Sequence, residues 1–149
     1  METKNEKKTK VMAFGTFDLL HPGHIYYLKE AKSFGNYLVV VVARDKNVEK
    51  LKGKKPVNSE EKRLAEIKKL DFVNKAILGN EENMIQVVEE EKPDVIALGY
   101  DQNAEILEKA ITEGKFKNVQ IKRIKPFKED IYKSSILNKN SKQINYMHI

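Results

Sequence analysis

The run Tyr37-Leu38-Val39-Val40-Val41-Val42-Ala43 constrains this chain more than any other stretch. It is apolar at every position and β-branched in the middle, so neither face can be left to water. A strand buried on both faces belongs inside a parallel sheet, and parallel strands need crossover connections that cover both faces. The flanking segments supply them. Val11-Met12-Ala13-Phe14 is a short apolar run that ends at Gly15 and reads as a second buried strand. Pro22 is placed to open a helix, because its fixed φ suits the first helical position and its missing N–H is not needed there. Ile25, Leu28 and Ala31 then recur at helical spacing, and Gly35 closes the segment.

The alternation continues. Arg44 to Asn58 is polar, holds Gly53 and Pro56, and reads as a connection. Ser59 is an N-cap with Glu60 and Glu61 in the first turn, and Leu64, Ile67 and Leu70 form the apolar side of that helix. Phe72 to Leu78 reads as a strand. Met84, Val87 and Val88 mark a helix that ends before Pro93. Asp94 to Leu98 is a strand stopping at Gly99, Ala104 to Ile111 a helix, and Val119 to Ile124 a more peripheral strand. Ser134 onward reads as a last short helix followed by a polar tail. Strand and helix alternate five times, which predicts an α/β, Rossmann-like fold: a five-stranded parallel sheet with helices on both faces and right-handed crossovers. The 149 residues suit one domain, with 1–9 and 140–149 as polar tails.

Composition narrows the function classes. There is no cysteine, so disulfides, thiolate metal sites and cysteine nucleophiles are excluded; this fits a cytoplasmic protein. No apolar run approaches the roughly 20 residues that span a bilayer, and METKNEKKTK has no apolar core for a secretory signal. The net charge of +6 comes from 28 basic and 22 acidic residues interspersed along the chain. That is a solvated surface with a mild attraction for anionic substrates. No face combines basic residues with aromatics, so a nucleic-acid partner is not expected.

In such sheets ligands bind beyond the carboxyl ends of the strands, where the strand order reverses. The first strand's carboxyl end runs into Gly15-Thr16-Phe17-Asp18-Leu19-Leu20-His21-Pro22-Gly23-His24, which holds two of the chain's three histidines. A helix N-terminus offers free N–H groups and a positive dipole end to an anion. Gly15 allows close backbone approach, Thr16 offers a hydroxyl, and His21 and His24 flank the first turn. Imidazole donors so placed can stabilise a phosphate and its developing charge, each worth ~10²–10³ in rate. Neither GxxxxGK[ST] nor GxGxxG is present, so this is not a P-loop or a dinucleotide fingerprint. Histidines at i and i+3 can also share a zinc ion, but no third ligand of suitable spacing is evident.

GTFDLLHPGH resembles the signature of the nucleotidylyltransferase superfamily with an HxGH motif. Further matches follow in order: Val41 to Asp45, Leu51 to Pro56, Glu61 to Arg63, Ala76 to Gly79, and Lys92 to Gln102. Together they are similar to the archaeal FAD synthases over residues 10–102, with glycerol-3-phosphate cytidylyltransferases on the same framework. The resemblance implies metal-assisted nucleotidyl transfer from ATP or CTP to a phosphorylated acceptor, FMN in the first case, with release of pyrophosphate. It implies that His21 and His24 hold the triphosphate and stabilise the transition state, and that Thr16 and the Gly15–Phe17 backbone contact the phosphates. Asp18 would orient the loop or help hold a magnesium ion. Lys54 or Lys55 would bind the acceptor's phosphate or the leaving pyrophosphate, and Arg63 would sit at the substrate site or a dimer interface. A solvated loop explains the lysines equally well, and a surface charge pair is the competing, less favoured reading of Arg63.

By the same resemblance Gly99-Tyr100-Asp101-Gln102 holds base and ribose, with Asp101 the best single candidate. The family's last motif, S-[ST]-x-[IL]-[RK], reads here Ser134-Ser135-Ile136-Leu137-Asn138-Lys139. The serines match, but Asn138 occupies the basic position, leaving Lys133 or Lys139 for the γ-phosphate. Relatives form homodimers through the region after the second strand and around Arg63, so a homodimer is expected. Three functions stand: an FAD synthase, a cytidylyltransferase for glycerol phosphate or another small phosphorylated alcohol or sugar, and a non-catalytic nucleotide- or RNA-binding module. Intact histidines and downstream loop disfavour the third.

Overall fold

The computed structural model describes residues 7–127 except 81, 82, 101 and 117. In chain order the elements are β1 (Lys10–Gly15), α1 (Pro22–Lys32), β2 (Tyr37–Val42), α2 (Asp45–Lys52), α3 (Glu60–Lys68), β3 (Lys75–Leu78), α4 (Met84–Glu91), β4 (Val95–Gly99), α5 (Glu105–Thr112) and β5 (Gln120–Ile124). All four strand pairings are parallel, in the order β3-β2-β1-β4-β5. This is the Rossmann-like sheet expected from the sequence. The order reverses between β1 and β4, which puts the ligand crevice at their carboxyl ends.

The period-2 alternation of the strands sorts their side chains between two cores. Val11, Ala13, Leu38, Val40, Val42, Val95 and Ala97 pack with Tyr27, Leu28 and Ala31 of α1 and Ile67 of α3. Met12, Phe14, Val39, Val41, Ile96 and Leu98 pack with Val87 and Val88 of α4 and Leu107 of α5. Leu38 to Val42 are all buried, which is why that run must be apolar at every position. Each such side chain contributes about 1.5–3 kcal/mol on burial.

Local signals place most of the ends. Pro22 is the first residue of α1, and Ser59 caps α3 by accepting from Lys62 N at 3.1 Å. Gly35 is required where the chain leaves α1: a Cβ there would collide with the Thr9 carbonyl and the Val11 side chain. Two expectations change. The Arg44–Asn58 connection contains a helix, α2, whose only apolar residues are Val48, which is buried, and Leu51, which is exposed. β3 begins at Lys75 rather than Phe72. Phe72 and Val73 lie in a turn closed by Val73 N–H to Leu70 O at 3.1 Å, and Asn74 then joins the sheet edge through Leu38. The helix expected from Ser134 lies outside the described residues.

The amino-terminal edge of the sheet is tied by one carboxylate. Glu91, at the end of α4 and only 9% exposed, accepts from Lys75 Nζ at 2.8 Å and from Lys10 Nζ at 3.3 Å. Burial pushes its carboxyl upward, but the hydrogen bonds and charges of Lys75 and Lys10 pull harder and hold it below the usual glutamate range. A depressed folded-state value means stability present above the unfolded pKa and lost as pH falls through the folded one. Glu91→Gln is therefore expected to cost about 1–2 kcal/mol at neutral pH, with the difference from wild type vanishing on acidification below the ordinary glutamate value. Urea melts of both proteins across that acid range check it.

Candidate active site

The turn from β1 into α1 is strained where it must be. Phe17 and Leu19 both adopt left-handed backbone conformations, φ 53° and 57°. Bulky residues rarely do so, and such positions persist only where the surroundings enforce them. Thr16 and Phe17 are buried beneath the turn, while Leu19 points outward. Asp18 supplies part of the enforcement. Its Oδ2 accepts from Val57 N at 2.7 Å and its Oδ1 from Asn58 N at 3.0 Å, tying the motif turn to the segment before α3. Those bonds support the loop-orienting role of Asp18 over the metal-holding one.

His21 and His24 form a reciprocal cap on α1. His21 is the N-cap, and its Nδ1 accepts from Gly23 N at 3.0 Å. His24 stands three residues on, and its Nδ1 accepts from His21 N at 3.2 Å. Serine or threonine with glutamate or glutamine ordinarily plays these parts. The consequence is chemical: an Nδ1 that accepts a backbone N–H leaves the proton of the neutral ring on Nε2. Both imidazoles thus become Nε2–H donors. Their rings stack with centroids 3.8 Å apart at 26°, which opposes two positive charges at once. Burial also lowers the His21 pKa below the usual histidine value. With both Nδ1 atoms turned to backbone N–H, the pair is set to bind anions rather than zinc. Among the described residues no group of three or more His, Asp or Glu could hold a metal ion.

Arg63 is not half of a surface pair but a buried tie between loops, its side chain 0% exposed. Its Nε donates to Asn58 O at 3.0 Å, its Nη1 to Thr16 O at 2.9 Å and Ala43 O at 2.8 Å, and its Nη2 to Asp45 at 2.6 Å. These bonds join the motif turn, the end of β2 and the starts of α2 and α3. A guanidinium so engaged braces the loops beneath the motif turn. Arg44 does similar work at the head of α2, with Nε on Gly79 O at 2.6 Å.

Lys54 and Lys55 stand exposed after α2. Between them and the motif lies Lys52, which sequence reading passed over as one of 28 basic residues. Burial lowers its pKa, Lys54 lowers it further, and Asp18 opposes both.

Across the crevice, β4 ends at the buried Gly99, and Tyr100 beyond it is 47% exposed. Asp101, Lys133, Ser134, Ser135, Asn138 and Lys139 lie outside the described residues. The Gly99–Gln102 turn is shaped by residues the sequence did not single out, Arg123 of β5 among them. An apolar groove of about 550 Å³ flanks His21 on the outer side of α1, lined by Leu20, Pro22, Ile25, Tyr26 and Phe127. The pieces together are a helix N-terminus and two Nε2–H donors at the switch point of a parallel sheet, with Lys52 within electrostatic reach of Asp18 in the motif turn. Such a set can bind a polyphosphate and stabilise charge that develops on it.

A family model described as cytidylyltransferase-like matches residues 12–140. Among curated proteins, an FAD synthase of Methanosarcina mazei is 54% identical over 107 residues, covering 70% of this chain and 70% of that protein. An FAD synthase of Methanosarcina barkeri is 50% identical over 107 residues, covering 70% and 76%. Among solved structures, a lipopolysaccharide core biosynthesis protein of Thermoplasma volcanium is 47% identical with a TM-score of 0.75, over 81% of this chain and 99% of that one.

Proposed function

The chain belongs to the cytidylyltransferase-like family, and from that premise we propose that it is an FAD synthase, transferring the adenylyl group of ATP to FMN. The observation that carries the transfer chemistry is the stacked, reciprocally capped histidine pair at the head of α1. The curated FAD synthases at half identity or better support the choice of acceptor.

In this reading the triphosphate lies along the N-terminus of α1. The Nε2–H groups of His21 and His24 donate to its oxygens, and the Thr16 hydroxyl and the Gly15–Phe17 backbone hold the phosphates. A phosphate oxygen of FMN attacks the α-phosphorus in line. The new O–P bond forms as the bond to the bridging α,β oxygen breaks, and pyrophosphate leaves with that electron pair. The FMN phosphate is already ionised near neutral pH, so no general base is needed and catalysis is positioning and charge stabilisation. Magnesium arrives with the triphosphate as part of the substrate and neutralises its charge. Lys54 or Lys55, with Lys52 behind them, holds the acceptor's phosphate or the leaving pyrophosphate. Gly99 and Asp101 hold base and ribose, and Ser134 and Ser135 the β- and γ-phosphates. The protein works as a cytoplasmic homodimer, and sedimentation as a monomer would remove the second half of that statement.

A panel of acceptors tests the reading directly. Pyrophosphate release is measured with ATP or CTP, each combined with FMN, glycerol 3-phosphate or a sugar phosphate. The sugar phosphate is included because the similar solved structure carries a lipopolysaccharide name. Turnover with ATP and FMN is the expected result. Turnover only with glycerol 3-phosphate or the sugar would overturn the flavin assignment while keeping the transfer chemistry.

A further inference from the structure

β1 and β4 run side by side only over Val11–Ala13 and Val95–Ala97. β1 continues to Gly15 bonded to β2, and β4 continues to Gly99 bonded to β5. The two central strands therefore part at their carboxyl ends, and backbone groups that a continuous ladder would pair face a gap. Two side chains enter it. The Tyr27 hydroxyl donates to Ala97 O at 2.8 Å and accepts from Phe14 N at 3.3 Å. The Gln102 side chain donates from Nε2 to Phe14 O at 3.2 Å and accepts at Oε1 from Gly99 N at 3.0 Å.

We propose that Tyr27 and Gln102 are positioning residues that hold this crevice open at its working width, Tyr27 seating the His24 imidazole and Gln102 the nucleotide loop; this rests on the nucleotidyl-transfer reading. Tyr27 acts through Phe17. Their rings stack at 6.4 Å, and Phe17 in turn meets the His24 ring edge-on at 5.6 Å. The strained φ of Phe17 needs such a seat to persist. For core filling alone, leucine or phenylalanine would serve at position 27; the hydroxyl has work only because the strands have parted. Gln102 closes the other rim twice over. Its own N–H donates to Gly99 O at 3.2 Å while its side chain takes the Gly99 N–H. Arg123 then locks the turn, with Nη1 on Gly99 O at 2.8 Å and Gln102 O at 2.6 Å.

The two props predict different kinetic signatures. Tyr27→Phe and Gln102→Leu are compared with wild type well below their melting temperatures. ATP affinity is measured by calorimetry and kcat by pyrophosphate release at saturating ATP and FMN. Tyr27→Phe is expected to lower kcat ~10-fold with ATP affinity held, and Gln102→Leu to weaken ATP affinity ~10-fold with kcat held. In the NMR spectrum of the free protein, which has three histidines to assign, the His24 ring signals should move in Tyr27→Phe and stay in Gln102→Leu. An unchanged kcat and unmoved His24 signals in Tyr27→Phe would overturn the proposal. So would a proportional fall of both kinetic quantities in both variants, which is what simple loosening gives. If wild type ignores FMN, the flavin assignment fails by itself: ATP affinity and the ring signals are read without any acceptor, and kcat with whichever acceptor wild type uses.

Discussion

His24→Gln lowers the turnover of nucleotidyl transfer by ~10²-fold or more and leaves the melting temperature close to wild type. Glutamine is the informative replacement because His24 has two duties. Its Nδ1 completes the cap by accepting the His21 N–H, and its Nε2–H is assigned to the phosphate. Alanine would remove both, and loss of a cap alone costs about 0.5–2 kcal/mol. Glutamine is an ordinary partner in a reciprocal cap, so its side-chain oxygen can take the His21 N–H while the imidazole donor disappears. A fall in turnover without a fall in stability then belongs to the chemistry. Steady-state pyrophosphate release and a circular-dichroism melt of the same preparation decide it. Wild-type turnover in His24→Gln would refute the role given to the ring.

Arg63→Leu is expected to do the reverse, destabilising the fold by about 3–5 kcal/mol, because it removes a buried guanidinium that donates to three backbone carbonyls as well as to Asp45. Its side chain is 0% exposed against 31% for Asp45, with which it pairs at 2.6 Å. Leucine leaves that carboxylate uncompensated and strips donors from the carbonyls of Thr16, Ala43 and Asn58. For a chain of 149 residues the loss corresponds to a fall of about 10 °C in melting temperature. Arg63→Lys should recover only part of it, since one ammonium cannot replace a planar fork aimed at four acceptors. A melt unchanged from wild type, with substrate binding lost, would restore Arg63 to the substrate site.

The two variants separate what could be read along the chain from what could not. His21 and His24 were legible because their signal is local: a strand end, a proline at the first helical position, and two rings one turn apart. The unbroken apolar run of β2 and the apolar stripes of α1 and α3 were legible for the same kind of reason, each reporting a burial preference residue by residue. α2 escaped because its apolar side is only Val48 and Leu51, a single turn set in a polar stretch that reads as a connection. For Arg63 the chain offers a substrate-site or dimer role by resemblance and a charge pair with a near neighbour by spacing, whereas its partners include Thr16 and Ala43, 47 and 20 residues away. Asp18 was read as a loop or metal residue, and only its bonds to Val57 and Asn58 weigh one against the other.

The sequence by itself thus determined the strand and helix order, the interior place of Tyr37–Val42 in the sheet, and a histidine-bearing turn at the head of the first helix. Burial preference and backbone capping act over a few residues and leave their mark in the local pattern. The tertiary structure decided which polar side chains serve substrate and which serve the scaffold. It turned Arg63 inward, and it brought Tyr27 to Ala97 and Gln102 to Phe14 across 70 and 88 residues. Hydrogen bonds are pairwise and short-ranged, so a donor's role is set by the acceptor that folding brings to it, and no spacing along the chain encodes that partner.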